Sequence, residues 1–197
     1  MTLIGIGGRL ASGKDSIADY LSDAHGWQKM GMSDPLHQSM MTLNPIVNMT
    51  HHHLVEELTT VRYAELTVQE GYTLAKENFE YRRLLQVFGT EVIRELFGNS
   101  VWVDFARKRV LECIGKQENV ILTDLRYPNE IDLVRELGGS AWWVDRPGFN
   151  TAGEHTSENS VNEDDFDVTI SNSGTLEDLH DTVYQELFGT TDTAEED

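Results

Sequence analysis

The chain has little cysteine, little positive charge and no long apolar run. Cys113 is the one cysteine in 197 residues. It lies in an apolar helical stretch and reads as a packed side chain. No intramolecular disulfide can form, which suits a reducing compartment. Lysine and arginine number 15 against 34 aspartates and glutamates, a formal net charge of -19. So negative a surface repels phosphate backbones, which argues against a nucleic-acid polymer as partner. A small anion is still admissible, because a few arginines can build a local positive pocket. No apolar run approaches the ~20 residues needed to cross a bilayer. The N-terminus enters a strand without a signal-peptide pattern. The expectation is a cytoplasmic protein with no membrane partner. There is no internal repeat, no Ser-His-Asp arrangement and no zinc-ligand spacing. His51, His52 and His53 are adjacent, so they cannot converge on a metal from one helix face.

Hydrophobic residues make up 39% and charged residues 25% of the chain, ordinary values for a soluble globular protein. The length fits one domain carrying an insertion. Much of the acidic excess lies in Glu158 to Asp167 and in the tail 190–197, where solvated loops explain it. Thr2 to Ile6 is a short apolar run entering Gly7-Gly8, and Lys14 to Ala24 places Ile17, Ala18, Tyr20 and Leu21 at helical spacing. Strands are expected at Trp27 to Met32, Asn119 to Thr123, Ser140 to Val144 and Phe166 to Ile170. Helices are expected from Ser33-Asp34-Pro35 onward, over Tyr81 to Phe97, Val101 to Ile114, Pro128 to Leu137 and Thr175 to Phe188. Asn44 to Asn78 has weak helical periodicity and reads as a helical insertion with loops. Residues 146–165 are polar and glycine-containing and read as a lid. Alternating strands and helices predict an open parallel sheet with its ligand site at the carboxyl ends of the strands. Gly8 to Ser16, Asp124 to Arg126, Asp145-Arg146 and Ser171 to Gly174 all fall at such ends.

Gly8 to Lys14 matches G-x-x-x-x-G-K, with a strand before it and a helix after it. Glycines in such a loop let backbone N–H groups turn inward and cradle phosphate oxygens, and the following helix adds its positive end. Lys14 is positioned to bridge the β- and γ-phosphates and follow the charge as a phosphoryl group moves. The expected nucleotide-binding set is Gly8, Ala11, Ser12, Gly13, Lys14, Asp15 and Ser16. The residue after the lysine is Asp15 rather than Ser or Thr, and a hydroxyl follows only at Ser16. That departure disfavours GTPases and motor ATPases and suits kinases of small molecules. Asp15 has two readings, as a holder of hydrated Mg²⁺ and as a negative charge favoured by the helix dipole.

Asp124 closes a strand, where a carboxylate can hold Mg²⁺ through water or cap the helix that starts near Pro128. Arg126 suits bidentate phosphate contact, and Glu130 can orient it or accept from a nucleobase or sugar. Arg82, Arg83 and Arg94 lie on or next to one helix; Arg82 and Arg83 cannot both face the same way, and surface solvation is the plain alternative for either one. Arg146 opens the lid, where it can close over transferring phosphates. Phosphoryl transfer needs positioning and positive charge more than covalent chemistry. Lys14, Asp124, Arg126 and Arg146 are therefore the expected catalytic residues, and Asp15, Ser16 and Asp124 the expected metal holders.

The chain resembles the bacteriophage deoxynucleoside monophosphate kinases, P-loop proteins related to the adenylate kinase fold. The resemblance rests on S-G-K-D-S at Ser12 to Ser16, RRLLQVFGTE at Arg82 to Glu91 and VWV at Val101 to Val103. It continues with DLRYPNE at Asp124 to Glu130, VDRPG at Val144 to Gly148, EHTSE at Glu154 to Glu158 and SNSGTLEDL at Ser171 to Leu179. It implies an α/β fold: a three-layer α/β/α P-loop domain over 1–189, with a five-stranded parallel sheet, a helical acceptor-binding region at 34–100, a lid at 146–165 and an acidic tail at 190–197. It implies transfer of the ATP γ-phosphate to a deoxynucleoside monophosphate with Mg²⁺, for DNA precursor synthesis, in a host cytoplasm if the chain is of phage origin. Arg82, Gly89, Thr90, Trp102, Asp124, Arg126 and Glu130 match motif positions around the monophosphate. Asp34 opens the acceptor side, with a helix cap as its alternative. Asn172 to Gly174 matches the loop passed by adenine. His155 and Glu158 match a motif of underived chemistry. A kinase of another small acceptor and a nucleotide-binding regulatory module are the alternatives. Oligomeric state, a homodimer included, is left open.

Overall fold

The computed structural model describes residues 1–52, 57–148 and 160–189. Most of the expected lid, with His155 and Glu158, and the acidic tail lie outside the described residues. The chain divides into two compact units, one made of Met1–Met32 with Ala106–Asp197, the other of Ser33–Phe105.

The first unit is built on a five-stranded parallel sheet of β1 (Leu3–Gly8), β2 (Gln28–Gly31), β5 (Val120–Leu125), β6 (Ser140–Asp145) and β7 (Val168–Ser171). Their spatial order is β2-β5-β1-β6-β7, so β1 is central. Side chains alternate across β1 and serve two different layers. Ile4 and Ile6 pack with Ile17, Ala18 and Leu21 of α1 (Lys14–His25) and with Leu179 and Val183 of α9 (Leu176–Phe188). On the opposite face a Cβ at Gly5 would lie 2.6 Å from Val134 of α8 (Pro128–Glu136). The glycine there is a packing requirement that lets helix and sheet approach. Helices thus cover both faces of the sheet, giving the three layers expected of an α/β fold. Pro128 starts α8, where its missing N–H is harmless. Thr175 caps α9 by accepting from Asp178 N–H while the Asp178 carboxylate accepts from Thr175.

The second unit holds α2 (Asp34–Leu43), β3 (Ile46–His52), β4 (Glu57–Arg62), α3 (Tyr63–Glu70), α4 (Tyr72–Ala75) and α5 (Phe79–Gln86). A π-helical stretch at Val87–Arg94 and α6 (Glu95–Phe97) follow. Val101–Phe105 of α7 (Val101–Gly115) belongs with this unit and the rest of α7 with the first. The core joins Met40, Val47, Tyr63, Leu66, Ala75, Tyr81 and Leu85.

Two expectations need correction. The stretch from Asn44 to Asn78 does not begin as a helix. Its first part is an antiparallel hairpin of β3 and β4. Thr50, Thr59, Thr60 and Val61 supply the β-branched residues for it, and Val47 anchors it in the core. Weak helical periodicity hid a short-range pairing. His51 and His52 belong to β3, and His53 lies outside the described residues. The helix over Tyr81 to Phe97 is not uniformly α-helical, because Val87–Arg94 widens to i→i+5 spacing.

Candidate active site

β1 ends at Gly8 and α1 begins at Lys14, and the loop between them is held in a conformation few residues adopt. Gly8 has φ 145, Ala11 φ 59 and Gly13 φ 106. A Cβ on Gly8 would stand 2.6 Å from the Val144 carbonyl oxygen, and one on Gly13 2.6 Å from Asn172 Nδ2. Both positions therefore demand glycine, by space as well as by φ. Lys14 Nζ donates to the carbonyl oxygens of Gly8 at 3.0 Å and Arg9 at 2.7 Å, so the ammonium spans the loop. Ser12 is 1% exposed and its Oγ has no hydrogen-bond partner among the described residues. A buried hydroxyl left in that state costs about 1–3 kcal/mol. A phosphate oxygen drawn into the loop would satisfy it, so the residues present fit a nucleotide phosphate.

Sheet register explains why the other predicted residues gather at this loop. Gly7 pairs with Leu125 and Gly8 with Val144, so the segments after β5 and β6 emerge on either side of the glycine loop. Asp145 pairs with Ser171, which brings Asn172 alongside. Asn172 is buried. Its Nδ2 donates to the Ser12 carbonyl at 2.8 Å and its backbone N–H to the Asp145 carbonyl at 2.7 Å. Arg146 Nη1 donates to the Ala11 carbonyl at 3.2 Å. The Arg9 guanidinium lies over the Trp143 ring, 5.6 Å from its centroid. Gly174 is exposed just before α9.

Asp124 sits in a β-bulge. Gly5 faces Leu122 while Gly7 faces Leu125, so β5 carries one residue more than β1 over this interval. Asp124 takes φ 64 to absorb it. A non-glycine residue in that region costs about 1–2 kcal/mol, and the bulge re-aims the carboxylate from the sheet ladder. Arg126 Nη2 is 3.8 Å from Asp124 Oδ1. Glu130 is buried, and its Oε2 accepts from the backbone N–H of Arg126 at 2.7 Å and of Tyr127 at 3.2 Å. Of the two sequence readings for Glu130, the geometry favours orienting the Arg126 turn. Asp15 points from α1 toward β2. It is 3.7 Å from Lys29 Nζ, which is 2.7 Å from Asp19. Burial works to lower the Lys29 pKa, but these two carboxylates raise it on balance. Among the described residues no group of three or more His, Cys, Asp or Glu side chains could hold a metal. The chemistry of Ser16 and Asp124 nevertheless suits Mg²⁺ whose remaining ligands are water and phosphate oxygens.

In the second unit Gly89 lies buried in the π-helical stretch, where a Cβ would meet Leu36 Cδ2 at 2.8 Å. Trp102 is buried and its Nε1 donates to the Gly89 carbonyl at 3.0 Å. A π-helical turn displaces carbonyls from regular pairing, and the indole caps one of them. Thr90 follows, half-buried. Arg82 and Asp34 are exposed, while Arg83 pairs with Glu80 at 2.7 Å. Arg94 is buried and donates to the Asn99 carbonyl at 3.3 Å.

A family model described as deoxynucleotide monophosphate kinase matches residues 36–183. The chain belongs to the deoxynucleotide monophosphate kinase family. A protein of Acanthamoeba polyphaga mimivirus named putative deoxynucleotide monophosphate kinase is 26% identical over 91% of this chain and 93% of its own length. The deoxynucleotide monophosphate kinase of Escherichia phage RB69 is 28% identical over 57% of this chain, and the shared stretch is 47% of that protein. Among solved structures, the chain is similar to a dephospho-CoA kinase from Campylobacter jejuni, 11% identical, covering 94% of this chain and 95% of that one with a TM-score of 0.47.

Membership in the deoxynucleotide monophosphate kinase family makes the chain an enzyme of monophosphate phosphorylation. No helix among the described residues is long and apolar enough to cross a membrane. Four features of this family member had no sequence signal: the bulge at Asp124, the buttressing of the loop by Asn172, the Trp102–Gly89 bond and the burial of Arg94. Each is a contact or strain set by partners distant in sequence or by local backbone geometry. Periodicity and motif spacing do not encode either.

Proposed function

We propose that this chain transfers the γ-phosphate of ATP to a deoxynucleoside monophosphate, giving a deoxynucleoside diphosphate and ADP, with Mg²⁺, as a step supplying DNA precursors. The observation that carries the proposal is the loop in which Lys14 spans two carbonyls and the buried Ser12 hydroxyl has no partner among the described residues. The names of the mimivirus and phage relatives support the acceptor.

Gly8 to Ser16 binds the ATP phosphates through backbone N–H groups, and Lys14 exchanges its carbonyl partners for phosphate oxygens. Asn172 acts through Ser12 by holding the loop's carbonyl, and Gly174 leaves room for adenine in the turn that follows. Magnesium, when bound through Ser16 and Asp124 with Asp15 nearby, neutralises charge on the phosphates. Arg126 and Arg82 hold the acceptor phosphate. Asp34, Gly89 and Thr90 line the acceptor's approach, Trp102 holds the Gly89 carbonyl, and Glu130 holds the turn that carries Arg126. An anionic oxygen of the acceptor phosphate attacks the γ-phosphorus, the bond to the β-phosphate oxygen breaks, and ADP leaves. No strong base is required, since the nucleophile is already anionic. Arg146 and the lid at 146–165 exclude water, the competing acceptor. Ser33–Phe105 is the acceptor-binding region in this reading, and the reaction takes place in the cytoplasm on free nucleotides.

The test is ADP release from ATP and Mg²⁺ with dAMP, dCMP, dGMP, dTMP and their ribose forms added in turn. Strong stimulation by one or more deoxy forms is expected. ATP binding without stimulation by any monophosphate would overturn the proposal.

A further inference from the structure

The glycine loop carries one arginine at a position its motif leaves open. Arg9 follows the first glycine and is half-buried. Its guanidinium lies 5.6 Å from the centroid of the Trp143 ring, within the distance at which an indole face attracts a cation. That ring is a fixed platform. Trp143 is 5% exposed on β6 and pairs in register with Gly7 of β1. Phe166 packs on the indole, with ring centroids 5.2 Å apart. Phe166 also fills the space beside Gly7, where a Cβ would stand 2.6 Å from its Cε1.

The backbone of the same residue is a junction of the loop. The Arg9 carbonyl oxygen accepts from Lys14 Nζ at 2.7 Å and from the Ser12 N–H at 3.2 Å. Two donors occupy both lone pairs of that oxygen. The first bond sets the resting place of the ammonium. The second closes the turn that carries the buried Ser12 hydroxyl. The neighbours of Arg9 give this junction little support of their own. Gly8 has no side chain, and Leu10 is 63% exposed. Arginine suits the place because its guanidinium is weakly hydrated, keeps its charge and stacks on aromatic faces.

We propose that Arg9 and Trp143 are positioning residues for ATP. The guanidinium held on the indole fixes the Arg9 carbonyl, and through it the Lys14 ammonium and the Ser12 turn, in the arrangement that receives the phosphate chain. A loop free to move must be ordered when its ligand arrives, and that ordering weakens binding. A side chain anchored before the ligand arrives removes part of the cost. The inference rests on the glycine loop being the ATP site.

The experiment measures the Kd for ATP with Mg²⁺ by calorimetry in Arg9→Met, Trp143→Leu and the double variant, with thermal melts of the ATP-free proteins alongside. Each single change should weaken ATP binding about three- to tenfold. The double variant should bind no worse than the weaker of the two, because both changes break one contact. Arg9→Lys keeps a cation over the ring and should recover much of the affinity. If Trp143→Leu does not fold, Trp143→Phe takes its place. Phenylalanine holds a cation less well than tryptophan, so Arg9→Met should then cost less ATP affinity in the Trp143→Phe background than in wild type. Independent effects that multiply in the double variant would overturn the inference. So would lowered melting temperatures with unchanged ATP affinity, which would make the contact part of the frame alone. A wild type that binds no ATP would instead overturn the proposed function itself.

Discussion

The two units hold their functional groups by different means. In Met1–Met32 with Ala106–Asp197, the candidate groups are set by backbone. Gly8, Ala11 and Gly13 take positive φ, the loop carbonyls are engaged by Lys14, Arg146 and Asn172, and the strands deliver these residues to one sheet edge. In Ser33–Phe105, groups are set by side chains in contact: Leu36 on Gly89, Trp102 on the Gly89 carbonyl, and the stacked Tyr63 and Tyr81 rings with His37 and Thr67 on their hydroxyls. A backbone cradle suits a ligand part common to all nucleotides, the phosphate chain.

Lys14→Ala strikes the cradle most directly. It should lower kcat/KM by at least about 10²–10³-fold, the range seen when one charge-stabilising donor is removed, while circular dichroism reports an unchanged fold. Near-normal turnover would remove the basis for the comparison. At Asp124 the cradle carries strain, so stability and activity should separate. Asp124→Gly should be more stable than Asp124→Ala by about 1 kcal/mol, because glycine accepts φ 64 without the Cβ conflict. Both variants should lose turnover. Denaturant melts and steady-state assays together decide this, and equal stabilities would mean that the bulge relaxes.

In the second unit Trp102→Phe removes the donor to the Gly89 carbonyl while keeping most of the buried ring. Loss of about 1 kcal/mol of stability is expected, with a higher KM for the monophosphate and an unchanged KM for ATP. A shift in the ATP KM instead would blur the division of labour. The smallest effect concerns the frame alone. Burial raises the Asp167 pKa, but hydrogen bonds from Arg135 and from the Ala141 N–H depress it on balance. A depressed folded pKa contributes stability above the unfolded carboxylate value, and that stability is lost as pH falls through the folded one. Asp167→Asn should therefore be slightly less stable than wild type at pH 7. The gap should close as the solution is acidified below the ordinary carboxylate range, measured by melts along a pH series. Because Asp167 and Arg135 are partly exposed, the gap at pH 7 belongs to the range of surface pairs, about 0–1 kcal/mol.

How much of this was legible differs between the units for the same reason. The sheet strands, α1, α7, α8 and α9 were legible in apolar periodicity, and the glycine loop in its residues, because each depends on a short continuous stretch. Gathering of Asp124, Arg126, Arg146 and Asn172 at one sheet edge followed from parallel topology, which the alternation of strands and helices predicts. The β3–β4 hairpin and the π-helical stretch were not legible. Hairpin pairing depends on Val47 finding a core made by Met40, Tyr63 and Tyr81, and π widening depends on what packs against Gly89. Glu130 had two readings by sequence, and its burial with one oxygen on two backbone amides is a contact that only the fold shows.

The sequence by itself determined the phosphate loop, the parallel α/β architecture and the family, because these rest on residue identities at fixed short spacings. Tertiary structure decided the strained backbone of Asp124, the loop carbonyl held by Asn172 and the Gly89 carbonyl held by Trp102. Each of those depends on which distant groups share a hydrogen bond or a van der Waals contact, and contacts of that kind exist only once the chain has folded.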